Sequence, residues 1–400
     1  MASVVQQDVS SSLFEDTSVA FASKSNPQLR KTYWLFAMMN RAGLVNLGTF
    51  FIKLALRLHL PIKKLIKATI FEQFCGGETI RECESTVQQL SKSGIGTILD
   101  YSIEGEDSEA DFEATTTEIF HTIDRAASTG DIPFTVFKVT GIGSVELLEK
   151  VQSGASLTPD EQKAYDRVVQ RVDRLCGQAH LRQVRIFLDA EESWIQDVID
   201  RLAYTMMARY NTQRAIVFNT YQFYRHETLE AYKNAYLKAR ESGYFLGGKL
   251  VRGAYMEKER IRARENNYRS PIHVSKEATD KDFDAAVDFS LDHLTLIEVC
   301  LGTHNEQSCL HCTQKMARLG LKPEDTRIWF AQLLGMSDNI SYNLAKLGYN
   351  VAKYVPYGPI DSVMPYLFRR AEENKSIAGQ SSREFRLVKH EMQRRNMSAV

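Results

Sequence analysis

Short, nearly continuous runs of apolar and β-branched residues recur along the chain, each followed by a stretch whose apolar positions fall three and four apart. The runs are Thr97–Ile103, Phe134–Thr140, Val184–Ala190, Ala215–Gln222, Gly248–Tyr255, Leu296–His304, Arg327–Leu333 and Asn350–Tyr357. Most lack a polar alternate face, the pattern of strands covered on both sides in a parallel sheet. Helical patterns such as Asp111–Ala127, Gln196–Arg209 and Asp282–His293 lie between them. The longest gap follows the second run and holds Thr158-Pro159-Asp160-Glu161. A capping Thr, Pro at the first helical position and Glu at the third start a helix there, so this gap predicts two helices. Eight strand–helix units with right-handed connections predict an α/β fold of the (β/α)8 TIM-like kind. An open doubly wound sheet is the alternative. Polar groups at the C-terminal end of nearly every run favour the barrel, because barrels build their sites on that rim. They are Asp100, Lys138, Asp189, Gln222, Arg252, His304, Gln332 and Tyr354.

No repeat or Pro/Gly-rich linker divides the chain. Residues 1–23 read as a poorly structured N-terminus, 24–90 as a helical arm, 91–385 as the barrel and 386–400 as a tail. Within the arm, Phe51, Leu54 and Leu58 share one helical face, with Lys53 and Arg57 turned elsewhere. That face can pack on the barrel or lie on a membrane surface. The 400 residues carry 50 basic and 50 acidic side chains, so the basic excess of a nucleic-acid binder is missing. Six cysteines in so long a chain read as reduced intracellular thiols. The first 23 residues hold acids and no Lys or Arg, which fits neither a secretory signal nor a mitochondrial presequence, and no apolar run is long enough for a transmembrane helix.

On the rim, Lys138 would project into the barrel mouth, where a lysine needs an anion or a carboxylate. Asp189 is an obvious partner, and both readings can hold together. Asp189 with Glu191 and Glu192 imitates a metal site, but alternation sends only Asp189 inward, and no metal is expected. Lys249 and Arg252 flank a stretch ending in Gly253-Ala254-Tyr255, where small residues let a phosphate or other oxyanion approach the backbone beside a guanidinium. Thr303-His304-Asn305 places three hydrogen-bonding side chains in a row at the sixth strand's end. Cys309 and Cys312 form an isolated CxxC, read as structural thiols. After the eighth strand, Tyr366, Arg369 and Arg370 share a helix face that can lean over the rim and trap a carboxylate. No GxGxxG, P-loop or GxSxG occurs, so a Rossmann dinucleotide site is not supported. From these residues alone, a Schiff-base lyase using Lys138 or Lys249 and a non-catalytic amino-acid-binding barrel stay open.

Six motifs in order then carry a resemblance. They are Phe187-Leu188-Asp189-Ala190-Glu191, Phe218-Asn219-Thr220-Tyr221-Gln222, Lys249 through Tyr255, Gly302-Thr303-His304-Asn305, Gln332-Leu333-Leu334-Gly335-Met336, and Tyr354 to Pro359 with Tyr366-Leu367-Phe368-Arg369-Arg370. The chain resembles the proline dehydrogenase family from about Phe74 to Glu384, and its single-activity branch in particular, without a following aldehyde dehydrogenase module. The resemblance implies a distorted (β/α)8 barrel with FAD at the C-terminal ends of the strands. It implies oxidation of L-proline to Δ1-pyrroline-5-carboxylate by hydride transfer to the flavin N5, the first step of proline catabolism. Hydroxyproline is the nearest rival substrate. Lys138, Arg369 and Arg370 would pair with the substrate carboxylate, Tyr354 and Tyr366 would wall its ring, and Leu250 would lie beneath it. Asp189 and Lys249 would be the catalytic pair; the fusion branch carries an arginine at the position of Lys249. Ala190, Gln222, Arg252, Gly253, Ala254, Tyr255, Thr303, His304 and Asn305 would contact FAD. Electrons would pass to a quinone, placing the protein peripherally on the inner membrane, on the cytoplasmic side or, if a presequence was removed, in mitochondria.

Overall fold

All eight apolar runs become strands of one closed parallel barrel, hydrogen-bonded in sequence order from β1 to β8 and back to β1. The computed structural model describes residues 11–40, 43, 48, 58, 62–103, 107–376 and 380–397. The strands are β1 (Ile95–Tyr101), β2 (Phe134–Phe137), β3 (Arg185–Leu188), β4 (Val217–Gln222), β5 (Leu246–Val251), β6 (Ile297–Gly302), β7 (Ile328–Leu333) and β8 (Val351–Tyr357). The principal helices are α1 (Thr17–Ala20), α2 (Asn26–Met39), α3 (Ile80–Ser91), α4 (Glu109–Ala127), α5 (Val145–Gln152), α6 (Pro159–Arg182) and α7 (Ser193–Tyr210). They continue with α8 (Thr228–Ser242), α9 (Met256–Glu265), α10 (Lys276–Asp292), α11 (Glu306–Arg318), α12 (Asp338–Lys346), α13 (Ile360–Ser376) and α14 (Gln380–Arg394). The barrel expectation is met. So is the pair of helices after β2: Thr158 and Glu161 cap α6 reciprocally with Pro159 in its first turn.

β2, β3, β5 and β6 end before their apolar runs do. Lys138, Asp189, Arg252 and Thr303 are therefore each the first residue past a strand. Pairing ceases there, and the freed backbone turns outward while the side chain stays at the mouth.

The barrel interior is filled rather than hollow. Phe134 and Phe187 stack at 4.5 Å between centroids, and Phe218 stands edge-on to both at 5.5 Å. Below them Arg185, at the start of β3, reaches Glu298 across the barrel at 3.1 Å and lies over the Phe134 and Trp329 rings. This buried pair and the aromatic layer close the N-terminal end. On the outside, helices and strands share a continuous apolar mantle from Leu99 through Leu188 and Leu250 to Val355.

Two departures from the expected layout concern the chain ends. Within the stretch expected to lack structure, residues 11–23 form a 3-10 turn and α1, with Phe14, Ala20 and Phe21 buried. The expected C-terminal tail begins inside α14, whose Val388 and Met392 pack with Ala20, Phe21 and Leu29. Amphipathic spacing short of a full run hides both in the sequence. α2 and the helical stretch Lys63–Phe74 join α13 in a separate apolar cluster around Phe36, Phe74, Met336 and Tyr366. Of the proposed arm face, Phe51 and Leu54 lie outside the described residues, and Leu58 is exposed. Among the described residues no helix is long and apolar enough to cross a membrane.

Candidate active site

The mouth of the barrel is organised by one carboxylate held by two ammonium groups. Asp189 stands just past β3, and Lys249 points inward from β5 between Phe187 and Tyr354. The Lys249 ammonium contacts Asp189 Oδ1 and donates to Tyr354 Oη at 2.6 Å. Tyr354 Oη in turn donates to the same carboxylate oxygen at 2.9 Å. Lys138 Nζ approaches the other oxygen, Oδ2, at 3.8 Å. The Phe187 and Tyr354 rings lie 4.9 and 4.7 Å from the Lys249 ammonium and supply cation–π contact from below. Burial pushes the Asp189 carboxyl upward, but the charges of Lys249 and then Lys138, with hydrogen bonds from Lys249 and Tyr354, outweigh it and hold the group below its ordinary value. Burial, and then the Asp189 charge, drive the Tyr354 hydroxyl far above its ordinary value, so it stays a neutral donor. Two cations on one anion leave a net positive mouth.

Helix α13 bears on this mouth from the β6–β8 side. Tyr366 is buried in a cluster with Leu333, the strand partner of Tyr354, and the Arg370 guanidinium sits 5.0 Å over the Tyr366 ring. Arg370 is buried, and its charge reaches His304 at the end of β6. Arg369, one residue earlier, is half-buried.

A second cluster forms beyond β5. Arg252 donates to Asp280 at 2.7 Å, to Thr303 Oγ1 at 2.7 Å and to Ser308 at 3.0 Å, with its plane 4.4 Å over the Phe283 ring. Four partners from α10, the β6 end and α11 thus fix one guanidinium. Gly253 follows at φ +134°, and a Cβ there would lie 2.5 Å from the Tyr224 ring. Only glycine fits that conformation. Gly253 and Ala254 are exposed, and Tyr255 is half-buried where α9 begins. Open backbone beside a braced guanidinium, at the rim of a positive mouth, fits a phosphate-bearing cofactor such as FAD.

The remaining expected contacts hold the rim together. Gln222 donates to the Glu191 carbonyl at 2.6 Å, joining the ends of β3 and β4 beside buried Ala190. Asn305 accepts from the Gln307 and Ser308 amides as the cap of α11, so its side-chain oxygen is committed to that helix. His304 Nδ1 lies 2.9 Å from Ser337 Oγ. Burial, followed by the charges of Lys353, Arg370 and Arg252, presses His304 down to about 3, so the ring is neutral at pH 7.

Leu250 requires correction. Since Lys249 points inward, pleating sends Leu250 outward, where it is fully buried in the mantle beneath the helices and cannot floor a substrate. The leucine at the mouth is Leu333, packed against both the barrel interior and the α13 cluster. The sequence offers Glu191 only as part of an imitation metal site. Its buried carboxylate takes the Thr140 amide at 3.1 Å and the Thr140 hydroxyl, and burial pushes it up to about 7. Its place two residues after Asp189 was the available signal. Cys309 and Cys312 are buried with thiols pushed upward by burial, in keeping with structural thiols.

A sequence profile described as proline dehydrogenase matches residues 83–383. The chain belongs to the proline dehydrogenase family. The enzyme class expected from the resemblance, an oxidoreductase of this family, is borne out. Relatives include proline dehydrogenase 1, mitochondrial, of Dictyostelium discoideum, 32% identical over 95% of this chain and 74% of its own length. Hydroxyproline dehydrogenase of Xenopus laevis is 30% identical over 96% and 90%. Carbapenem antibiotics biosynthesis protein CarD of Pectobacterium carotovorum subsp. carotovorum is 35% identical over 80% and 83%. Among solved structures, proline utilization A from Bdellovibrio bacteriovorus, inactivated by N-propargylglycine, superposes with a TM-score of 0.71 at 18% identity. The match covers 91% of this chain and 38% of that one, and it speaks for the barrel fold alone.

Proposed function

We propose that this chain is an FAD-dependent proline dehydrogenase. The observation that carries the reading is the Lys138–Asp189–Lys249 cluster, a net positive mouth over an aromatic floor, in a chain of this family. Arg369 and Arg370 on α13, with Lys138, hold the substrate carboxylate, and Tyr354, Tyr366 and Leu333 wall the ring. Arg252, Gly253, Ala254 and Tyr255, with Ala190, Gln222, Thr303, His304 and Asn305, hold the cofactor. When bound, FAD would supply the two-electron acceptor for oxidation of L-proline to Δ1-pyrroline-5-carboxylate. Asp189 keeps the Lys249 ammonium aimed at the mouth, where a fixed positive charge favours anionic character on a reduced cofactor. Lys249 has the geometry of an ion-pair partner donating to Asp189 and Tyr354, which disfavours a Schiff-base role requiring its lone pair.

Proline is favoured over hydroxyproline because Tyr354 is buried and anchored through its hydroxyl to both Asp189 and Lys249, so it cannot swing aside for an added ring hydroxyl. A quinone acceptor and a peripheral position on the inner membrane complete the proposal. Supporting them, α2 exposes Trp34 and Met38 one turn apart, and Leu65 is exposed beside Lys63 and Lys64. Anaerobic mixing of the purified, flavin-loaded protein with L-proline tests the reading. The yellow flavin absorption should bleach, and faster than with hydroxyproline. Proline binding without bleaching would leave a non-catalytic binder. A colourless protein trapped by borohydride on a carbonyl substrate would replace the proposal with a lyase.

A further inference from the structure

Ser337 occupies an unusual position. It sits at the N-terminal cap of α12 with φ 51° and ψ 42°, a left-handed conformation that a serine adopts at some cost. A serine at that position ordinarily turns its hydroxyl onto the helix's own first amides. Here no such cap bond forms, and the Ser337 hydroxyl meets His304 Nδ1 at 2.9 Å instead. The Ser337 amide is taken by Glu384 of α14, whose Oε1 accepts it at 2.7 Å. Glu384 is buried, and so is Ser337. The charged groups around this knot are Lys353, Arg370 and Arg252 toward His304, and Asp338, Lys353 and Arg383 toward Glu384. Asp338 and Lys353 pair at 2.9 Å, and Lys353 also donates to the Met336 carbonyl at 2.5 Å, so the turn between β7 and α12 is fixed from below.

We infer that Ser337 and Glu384 are positioning residues for the cofactor site. Glu384 holds Ser337 in its left-handed turn, and Ser337 engages His304 Nδ1, so that the imidazole ring is held in one orientation with Nε2 toward the cofactor. Two observations carry this: a strained backbone held by a carboxylate from another helix, and a hydroxyl diverted from the cap it would ordinarily make. The neutral state of His304 agrees, because a neutral Nδ1 can pair with the Ser337 hydroxyl as donor or as acceptor. The consequence is that the C-terminal helix α14, packed on α1 and α2, contributes to holding a group at the mouth of the barrel.

The inference rests on the reading of His304 as a contact of FAD, and its test separates the two. Ser337→Gly is the decisive variant, since glycine adopts the left-handed turn without strain and lacks only the hydroxyl. Its thermal midpoint should equal or exceed that of the unmodified protein. Its FAD dissociation constant, titrated on flavin-free protein, should rise about fivefold to tenfold, the size of one neutral hydrogen bond. In nitrogen NMR of the flavin-free protein the His304 Nδ1 resonance should shift in Ser337→Gly, where its hydroxyl partner is gone. Glu384→Ala should shift it likewise, while Glu384→Gln, whose carboxamide oxygen still accepts the Ser337 amide, should restore the parent position. An unchanged Nδ1 resonance in Ser337→Gly overturns the inference, as does unchanged FAD affinity in a protein that binds FAD. If the unmodified protein binds no FAD, the cofactor reading falls, and the NMR measurement still decides the role of Ser337.

Discussion

Replacing Asp189 by Asn should strand two cations at the barrel mouth. The Lys249 side chain is only 5% exposed and the Lys138 side chain 18% exposed, so the two cannot relax equally. Lys138 can turn toward solvent, whereas Lys249 is enclosed by Phe187, Tyr354 and the strands around it. Removing one partner of a buried pair costs about 3–5 kcal/mol. The two rings beneath Lys249 contact it in parent and variant alike, so they offset none of this cost. At about 2.1 cal/mol/K of unfolding entropy per residue, this chain's 400 residues convert that loss to a midpoint lower by roughly 4–6 °C. The measurement is thermal unfolding of flavin-free protein at neutral pH, since bound cofactor would add its own stabilisation. Adding Lys249→Met removes the stranded charge, and the double variant should then be more stable than Asp189→Asn alone. The difference between Asp189→Asn and the unmodified protein should also shrink in acid. The Asp189 carboxyl is held below its ordinary value of 3.8, so the stability it confers is present above that value and lost as pH falls through the depressed one. A single variant as stable as the parent, or a double variant no better than the single, would refute the assignment of Asp189 as the counter-charge of Lys249.

Arg369→Met and Arg370→Met should each raise the apparent KM for proline about tenfold or more, the loss of a charge-assisted bond to a carboxylate, and steady-state kinetics with proline checks it. Gly253→Ala should cost about 1–3 kcal/mol and weaken FAD binding, because its φ of +134° and the nearby Tyr224 ring leave no room for a methyl; unfolding midpoints and flavin titration read both effects. Glu191→Gln should gain stability relative to the parent as pH rises from about 4.5 to about 7. Burial raises the Glu191 carboxyl from 4.5 to about 7, so its contribution is full below the lower value and lost as pH climbs through the higher, whereas glutamine loses nothing. Midpoints measured across that range should diverge, and parallel curves would count against a buried, upshifted carboxyl.

The barrel was legible because its strands are buried on both faces and so read as unbroken apolar runs, and because rim residues such as Lys138 and Asp189 interrupt those runs where pairing stops. Apolarity, however, does not register where pairing ends, so Gly248–Tyr255 was read as strand beyond Val251, where the chain leaves the barrel at Arg252. Leu250 shows the other limit. In a strand apolar on both faces, periodicity cannot say which side chain points inward; the charge of Lys249 could have, since an ammonium does not enter the mantle. Leu333 and Tyr354 lie on different apolar runs, and only the register of β7 against β8 brings them side by side at the mouth.

What no local reading could supply is the bracing of the rim by carboxylates from elsewhere in the chain. Glu259 of α9 is fully buried and accepts from the Ser193 amide and hydroxyl, both at 2.6 Å, capping α7 in place of Glu192, which makes no cap bond of its own. Glu384 does the same for the Ser337 amide ahead of α12. In sequence each is one more acidic residue on an amphipathic helix, indistinguishable from a solvated one. Both carboxylates sit where a helix begins just past the end of a strand, after β3 in one case and after β7 in the other. A helix N-terminus leaves several amides unsatisfied and carries partial positive charge, so a buried carboxylate from a distant helix is stabilised there. The exchange ties α9 and α14 to the two sides of the mouth. The net positive charge of the Lys138–Asp189–Lys249 cluster would otherwise repel itself and loosen the loops that hold it. Bracing by long-range caps lets the loops after β3 and β7 keep their shape beside this charge, with Lys249 buried on β5 and Lys138 half-buried at the rim.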